Sequence, residues 1–566
     1  MKVVVVGGVA GGMSFAARAR RLAEDAQLVV LERDPYVSYA NCGLPYHLGG
    51  EIPDRDALLL HTPATLAASL NLDVRTGHEV TAIDPVARTV TVRERATGRE
   101  YVEGYDALVL STGATPIVPP IPGADLPQVR MLRTVLDVDA LTALVDGGAR
   151  RAVVAGAGFI GLEVAEALKH RGLAVTVVDL ADQVLPPLDP EMARTVELAL
   201  TDAGVEVRTS TSVTAITPGD ATGDGTVRVR LSDGSELPAD LVLLSVGVRP
   251  ESLLARAAGL ELNERGAVRV DEHLLTSAPG VYAVGDAIEV VDAVTGAPAV
   301  VPLAGPANRQ GRAAANHLFG RPGGRVPVLG TAIVRVFDTV AATTGRPEKA
   351  LRAAGIAHHA IHLHPGHHAG YFPGARPLHL KLVFAPDGRI LGAQITGSEG
   401  VDKRIDVIAT AIRAGLTVAD LAELELAYAP PFGSAKDPVN MAGFAASNLL
   451  AGDFAVWHGS DLDTAGRPGA VGAVLLDVRS EREYATGHLP GALNIAHTQL
   501  RERLGEVPAG VPVRVYCASG FRSYLALRIL RQRGWDDVAS LSGGLTTLRL
   551  ERPDLPLVTG AALASA

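Results

Sequence analysis

Two copies of one local pattern constrain this chain more than any other feature. Val3–Val6 is an apolar run, Gly7-Gly8-Val9-Ala10-Gly11-Gly12 is a turn of small residues, and an Ala/Arg-rich helix is expected to about Ala23. A second apolar run, Gln27–Leu31, ends at Glu32. The pattern returns at Arg151–Ala155, then Gly156-Ala157-Gly158-Phe159-Ile160-Gly161, a helix to about His170, and Ala174–Val178 ending at Asp179. Strand, helix and strand in that order predict parallel sheets. Glycines permit the tight turn and let the backbone approach a pyrophosphate, which the positive end of the helix then holds. An acid at the end of the next strand accepts hydrogen bonds from ribose hydroxyls. Asp179 lies 18 residues past Gly161, and Glu32 lies 20 past Gly12. The first turn departs only in Val9, where the middle glycine usually sits.

The chain has 566 residues, of which 47% are apolar, and a formal net charge of −10. At roughly 150 residues per domain this predicts three or four folded domains. A mild acidic excess without a basic block makes nucleic acid an unexpected partner. Four glycines interrupt the first apolar run and basic residues follow it, which is a poor secretion signal. No apolar run reaches roughly 18 residues, so no membrane span is expected and a cytoplasmic protein is. Two cysteines, Cys42 and Cys517, make neither a disulfide framework nor a zinc spacing, and no metal is expected. Cysteine chemistry must therefore come from single thiols. Strand-rich stretches lie at about 73–112 and 205–250, and mixed texture runs from 326 to 448. A Gly/Asp/Ala-rich stretch near 451–470 reads as a linker.

With three further motifs the chain to about 448 resembles the pyridine nucleotide–disulfide reductases, flavoproteins with two dinucleotide domains. Ser111-Thr112-Gly113-Ala114 is similar to that family's strand-end turn near FAD, and Gly247-Val248-Arg249-Pro250 to its counterpart after the NAD domain. Val281-Tyr282-Ala283-Val284-Gly285-Asp286 is similar to its second FAD motif, whose aspartate binds the ribityl chain. The resemblance implies an α/β fold: two Rossmann-like dinucleotide-binding domains, an α+β dimerisation domain and a C-terminal α/β domain. FAD is expected on 1–115 and 271–325, the nicotinamide on 116–270, dimerisation on 326–448, a linker at 449–470 and the last domain at 471–560. Cofactor contacts are expected at Gly7, Ala10, Gly11, Gly12, Glu32, Arg33, Asn41, Val80, Thr112, Gly113, Gly156, Gly158, Ile160, Gly161, Asp179, Gly247, Gly285, Asp286 and Ala304. Leu180 and Ala181, not arginine, follow Asp179, so NADH is expected over NADPH.

Cys42 stands in Ser38-Tyr39-Ala40-Asn41-Cys42-Gly43-Leu44-Pro45-Tyr46. Dithiol members of the family use a Cys-x4-Cys pair, and here His47 holds the second position. Cys42 must pair with an outside thiol, cycle through sulfenic acid, or meet Cys517. NADH peroxidases and oxidases share the single cysteine but carry a histidine where this turn has Ala10. The turn and the Asn-Cys-Gly-Leu-Pro-Tyr run are instead similar to coenzyme A disulfide reductases, in which CoA supplies the second thiol. By that resemblance Arg18, Arg21, Ser38, Asn41, Asn308 and Arg312 match positions near CoA, where arginine forks suit phosphates. Ser69-Leu70 stands where some relatives carry a lysine. Ala427–Pro438 and Ala369–Gly374 resemble dimer-domain motifs. They imply a homodimer with shared active sites, in which Tyr428 and Tyr371 reach the partner's Cys42 and either donate a proton to the departing CoA thiolate or stabilise Cys42 as a thiolate.

Leu475-Leu476-Asp477-Val478-Arg479, Gly487-His488-Leu489-Pro490-Gly491-Ala492 and Val515-Tyr516-Cys517-Ala518-Ser519-Gly520-Phe521-Arg522-Ser523 resemble a rhodanese domain, as does Ser542-Gly543-Gly544. Such domains carry sulfane sulfur as a cysteine persulfide, in a loop of backbone N–H groups that favours an anionic sulfur. Cys517 and Arg522 are the residues expected to act there; Asp477 and His488 are expected to shape the fold. The resemblance implies an NAD(P)H-dependent, FAD-containing reductase of CoA disulfide, CoA persulfide or polysulfide, with small sulfur compounds as substrates. An NADH oxidase or peroxidase with an appended sulfurtransferase, and a sulfur-carrying or redox-sensing flavoprotein, are the alternatives.

Overall fold

Val3, Val4 and Val5 are wholly buried, and so are Val29, Val30, Leu108 and Val109 in the neighbouring strands. Runs of β-branched residues without polar alternation form strands covered on both faces, and parallel sheets need that cover. The structure, a computed structural model, describes residues 1–219, 226–463 and 472–560. The chain divides into two compact units, Met1–Asp182 with Gly204–Gly330, and Gln183–Ala203 with Thr331–Ala566. Among the described residues no helix is long and apolar enough to cross a membrane.

The first unit holds two parallel five-stranded sheets. One orders its strands Val281–Ala283, Ala107–Leu110, Lys2–Val6, Gln27–Glu32 and Asp73–Thr76. The other orders Glu206–Arg208, Ala174–Val178, Arg151–Ala155, Leu241–Leu244 and Val129–Arg130. Each glycine turn thus follows a central strand, where ligands of open α/β sheets bind. Ala114–Pro116 and Val248–Pro250 pair as a short antiparallel ribbon, so the two strand-end motifs read from sequence bond to each other. The first helix spans Ala10–Arg20 and stops three residues before the expected Ala23. The buried Arg20 explains this: its guanidinium donates to the carbonyls of Leu70, Ala23, Glu24 and Asn71, which draws the chain out of the helix.

The second unit holds an antiparallel sheet ordered Ala332–Val336, Thr339–Gly345, Ile390–Gly397, His379–Phe384 and His359–Leu363. Helices Val401–Ala414 and Pro438–Leu450 cover it. A parallel sheet follows, ordered Val456–Trp457, Val538–Leu541, Val513–Tyr516, Val474–Asp477 and Leu493–Asn494. Its edge strand lies inside the stretch read as a linker. Two apolar residues, Val456 and the buried Trp457, make that strand among polar neighbours that hide it from a composition window. Residues 464–471, which include the rest of that linker and the expected first residue of the last domain, lie outside the described residues.

A buried polar cluster joins the parts of the second unit. Lys381 is 2% exposed and pairs with Asp189, Glu191 and Glu348 at 2.9, 2.6 and 2.7 Å. His362 contacts Glu191 through Nε2 and Ser542 through Nδ1, each at 3.0 Å. His364 contacts Thr547 Oγ1 at 2.8 Å. Burial holds His364 down to about 3 and His458 down to about 4. Ser542, Thr547 and His458 belong to the last parallel domain, whereas His362 lies in the antiparallel strand His359–Leu363 and His364 directly follows it.

Candidate active sites

In the first glycine turn the backbone is packed to contact. Gly7 has φ +102°, and a Cβ there would lie 2.2 Å from the Ser111 carbonyl oxygen. A Cβ on Gly12 would lie 2.0 Å from the Gly7 oxygen. Only glycine fits at either position. Glu32 sits buried at its strand end and accepts from Gly8 N–H at 2.8 Å and Asp34 N–H at 3.0 Å. Burial raises its carboxyl above the usual range. Across the sheet Gly285 has φ +81° and donates to Gln310 Oε1 at 2.8 Å. Burial likewise raises Asp286, whose carboxylate accepts no hydrogen bond from the described protein groups. Turn, helix end and half-buried acid fit an FAD. Arg33 is half-buried beside Asp34, Val80 is buried in the strand His78–Asp84, and Ala304 opens the helix Ala304–Leu318. Gly11 abuts Ser111 and Val284, and Thr112 donates to the Glu251 carbonyl.

Ser38 has a left-handed φ of 49° and donates its N–H to the Gly8 carbonyl at 2.8 Å. That bond ties the cysteine segment to the glycine turn. Asn41 and Cys42 stand exposed on the short turn Asn41–Gly43, and Cys42 N–H donates to Asn41 Oδ1 at 3.1 Å. Packing round the sulfur, with the carboxylates of Glu163 and Asp286, pushes the Cys42 thiol up. His47 is occupied structurally, its Nδ1 lying 2.7 Å from the Ile52 carbonyl. On the adjoining helix pair, Arg18 Nε donates to Asn316 Oδ1 at 2.8 Å, and Ser14 donates to Asn308. Desolvation, then the charges of Arg312, Arg21 and Arg321, lower Arg18. The structure therefore groups Arg18, Arg21 and Arg312 and adds Arg321, which sequence reasoning did not single out.

The second glycine turn repeats the design. Gly156 has φ +108°, and Cβ atoms on Gly156 and Gly161 would lie 2.3 and 1.9 Å from backbone oxygens. A Cβ on Gly158 would meet nothing within 4 Å, so the turn is open on the side a pyrophosphate would approach. Asp179 accepts from Ala157 N–H at 2.6 Å and Ala181 N–H at 2.8 Å. Ile160 and Leu180 are exposed at 39% and 75%. Gly247 has φ +118° and accepts from Ile117 N–H at 2.9 Å. Tyr46 donates to Glu163 at 3.1 Å, linking the cysteine segment to the helix after this turn.

In the second unit the Tyr371 and Tyr428 hydroxyls lie 2.9 Å apart. That bond raises the Tyr371 phenol. Ala369 N–H donates to the Gly433 carbonyl at 2.9 Å, holding the two segments together. Tyr371, Phe372, Tyr428 and Phe432 are all exposed in the single chain.

Cys517 ends the strand Val513–Tyr516 and is 1% exposed. Gly520, the residue before the helix Phe521–Arg531, and Ser523 in its first turn donate their N–H groups to its Sγ at 3.2 and 3.4 Å. Such a cradle stabilises a sulfur anion. Leu545 and Thr546 donate to the carbonyls of Cys517 and Ala518 at 2.9 Å each. Gly544 permits this approach, because a Cβ there would lie 2.6 Å from the Cys517 oxygen. Arg522 is bound bidentately by Glu483, at 2.7 Å for each bond. Asp477 is fully buried and pairs with Arg479, and His488 stacks on Tyr484.

Comparison with known proteins matches residues 1–311 to the pyridine nucleotide-disulphide oxidoreductase family, 331–438 to its dimerisation domain and 463–550 to the rhodanese-like domain. The chain belongs to the pyridine nucleotide-disulphide oxidoreductase family. It is a redox enzyme with an FAD site and a nicotinamide site, fused to a rhodanese domain. It is similar to the structure titled reduced Bacillus anthracis CoADR-RHD, at 44% identity over 98% of this chain and 99% of that one, with TM-score 0.94. It is similar to a NAD-dependent persulfide reductase from A. fulgidus, at 39% identity over 97% and 100%, with TM-score 0.90. Among curated relatives, an NADH oxidase of Methanocaldococcus jannaschii is 34% identical over 78% of this chain and 98% of its own. A coenzyme A disulfide reductase of Staphylococcus haemolyticus is 35% identical over 79% and 100%.

Within this oxidoreductase the residues that sequence reasoning missed are Glu163, Gln310, Arg321 and Glu483. Gln310 lies in the same motif as Asn308 and Arg312, so helical spacing offered a signal. Glu163, Arg321 and Glu483 act across space and offered none. Glu51, Glu166 and His170 bring ligand atoms within 4.8 Å of one another where no metal was expected, an arrangement common among carboxylates without an ion. Gly161→Ala, which sets Cβ against the Gly156 oxygen, is expected to raise the NADH KM at least about tenfold while flavin content stays unchanged. Steady-state kinetics and the flavin absorbance ratio check both halves.

Proposed function

We propose that this chain is an NADH-dependent reductase of CoA disulfide and CoA persulfide, active as a homodimer, whose rhodanese domain loads and unloads sulfane sulfur. The observation that carries the reading is Cys42: exposed, anchored to the first glycine turn through Ser38, and with His47 in place of a second thiol. The second sulfur then arrives on the substrate. FAD, when bound, passes the electron pair of the nicotinamide on to a disulfide. The balance is NADH + H⁺ + CoAS–SCoA → NAD⁺ + 2 CoASH, and for the persulfide NADH + H⁺ + CoAS–SH → NAD⁺ + CoASH + H₂S.

Cys42 attacks one sulfur of the substrate, forms a mixed disulfide with CoA and expels the other half as a thiolate. The carboxylates of Glu163 and Asp286 oppose a Cys42 thiolate, so cations must offset them. Arg18, Arg21 and Arg312, with Asn308, are the groups we assign to the CoA phosphates. Asp179, followed by Leu180 and Ala181 and not by an arginine, favours the free ribose of NADH. We assign proton delivery to Tyr428 of the second subunit. The two hydroxyls lie 2.9 Å apart, and in this reading Tyr371 is the donor between them, so that the Tyr428 proton serves the departing thiolate. The exposed tyrosines and phenylalanines around them support a face covered by a second copy.

Tyr428→Phe is expected to lower kcat with CoA disulfide by about ten- to a hundredfold. Reduction of the flavin by NADH should be unaffected, and unchanged turnover would remove Tyr428 from the proton path. The reading itself is tested by anaerobic steady-state rates with CoA disulfide, CoA persulfide and polysulfide, alongside the mass of the unreduced protein. A CoA adduct on Cys42 and turnover of at least one CoA substrate are expected. Sulfenic acid on Cys42 with rapid oxygen consumption and no CoA turnover would instead make the chain an oxidase.

A further inference from the structure

Arg522 enters the helix one residue before Ser523, whose N–H donates to the Cys517 sulfur. A guanidinium in that position would ordinarily attract an anionic sulfur donor. In this chain it is engaged by both oxygens of Glu483. Glu483 is itself fixed: Ser480 donates its N–H at 3.1 Å and its hydroxyl at 2.9 Å to the same carboxylate. These bonds, Arg522 first, hold the Glu483 carboxyl down to about 2, so the pair stays ionised and neutral overall. Beside it Phe521 is 66% exposed and adds an apolar surface at the loop.

We infer that Glu483 sets the donor preference of Cys517, by neutralising Arg522 so that organic persulfides are selected over thiosulfate. The inference rests on the reading of Cys517 as a sulfur acceptor. In the favoured step the Cys517 thiolate attacks the outer sulfur of R–S–SH. The donor S–S bond breaks, a new S–S bond forms to Sγ, and RS⁻ leaves with the electron pair while the proton stays on the transferred sulfur. With thiosulfate the same exchange, Cys–S⁻ + S–SO₃²⁻ → Cys–S–S⁻ + SO₃²⁻, brings a dianion in and sends a dianion out. No oxidant or reductant is consumed in either case. A neutral mouth gives the dianion no attraction, whereas a free arginine would.

The test uses full-length Cys42→Ser protein, which lacks the flavin-side thiol, and follows persulfide formation on Cys517 by intact-protein mass. Thiosulfate and cysteine persulfide, an organic donor without phosphates, are compared. Cysteine persulfide should react at least about tenfold faster than thiosulfate. Adding Glu483→Gln should raise the thiosulfate rate about tenfold and change the persulfide rate less than about threefold. Adding Arg522→Gln as well should cancel the gain. An unchanged rate ratio in the Glu483→Gln protein overturns the inference. Where that variant fails to fold and both rates fall together, the parent decides, and thiosulfate reacting as fast as cysteine persulfide overturns it. Persulfide on Cys517 from neither donor would remove the acceptor reading itself.

Discussion

Cys42→Ser is expected to abolish NADH-dependent reduction of CoA disulfide, with kcat falling at least about a thousandfold. Serine is nearly isosteric, so Ser38, Asn41 and the turn Asn41–Gly43 keep their bonds. A hydroxyl cannot form the mixed disulfide through which electrons must pass. Dithiol relatives have a second cysteine to fall back on, whereas here His47 is bonded to a carbonyl and Cys517 is buried in another domain. Flavin reduction by NADH does not involve the thiol and should persist at its normal rate. Stopped-flow absorbance and CoA-thiol release separate the two half-reactions. Residual CoA release within about tenfold of the parent would mean that substrate is reduced without Cys42.

The second large effect is on stability. Lys381→Met removes the cation that faces Asp189, Glu191 and Glu348 inside the second unit. The methionine fills most of the volume, so the loss is electrostatic. Breaking a buried ion pair from one side costs about 3–5 kcal/mol, because the remaining charges stay buried without compensation. The pH dependence should reverse. In the parent, Lys381 and His362 hold Glu191 down, and Lys381 holds Glu348 down to about 2, each against the opposing effect of burial. Carboxyls depressed from their ordinary 4.5 contribute stability that is full above that value and lost as pH falls toward 2. Without the lysine, burial and mutual repulsion raise these carboxyls. The variant then loses stability as pH rises through the range where they ionise. Parent and variant should differ most near neutrality, and the gap should narrow steadily as pH falls toward 2. Denaturant unfolding across pH measures this, and a constant difference at all pH values would refute the electrostatic account.

The legible parts of this fold are those carried by local chemistry. Gly7, Gly12, Gly156 and Gly161 announce themselves because no side chain fits where their neighbours' oxygens lie. Glu32 and Asp179 are legible from spacing, and both end their strands and bond back to the glycine turns. Cys517 is legible because strand, loop and helix stand consecutively in sequence. Illegible were the groups that meet by folding. Glu483 lies 39 residues from Arg522, and nothing in either segment names the other. Glu191 and Lys381 are 190 residues apart. The edge strand Val456–Trp457 was lost because two residues cannot show a period. The bond between Tyr371 and Tyr428 falls in the same class: both tyrosines were legible singly, and their pairing was not.

The rhodanese domain's contacts at His362 and His364 have an evolutionary reading. There the contacts are imidazoles and hydroxyls with ion pairs behind them, while Leu198, Leu545 and Leu548 line a cavity that the helix Pro190–Asp202 shares with the domain. The polar part of such a seam stays hydrated when uncovered, but loss of the domain would bare Leu198. The Staphylococcus haemolyticus relative is matched over all of its length by 79% of this chain. Gain or loss of the domain at this seam therefore demands matching changes in apolar residues as well as polar ones.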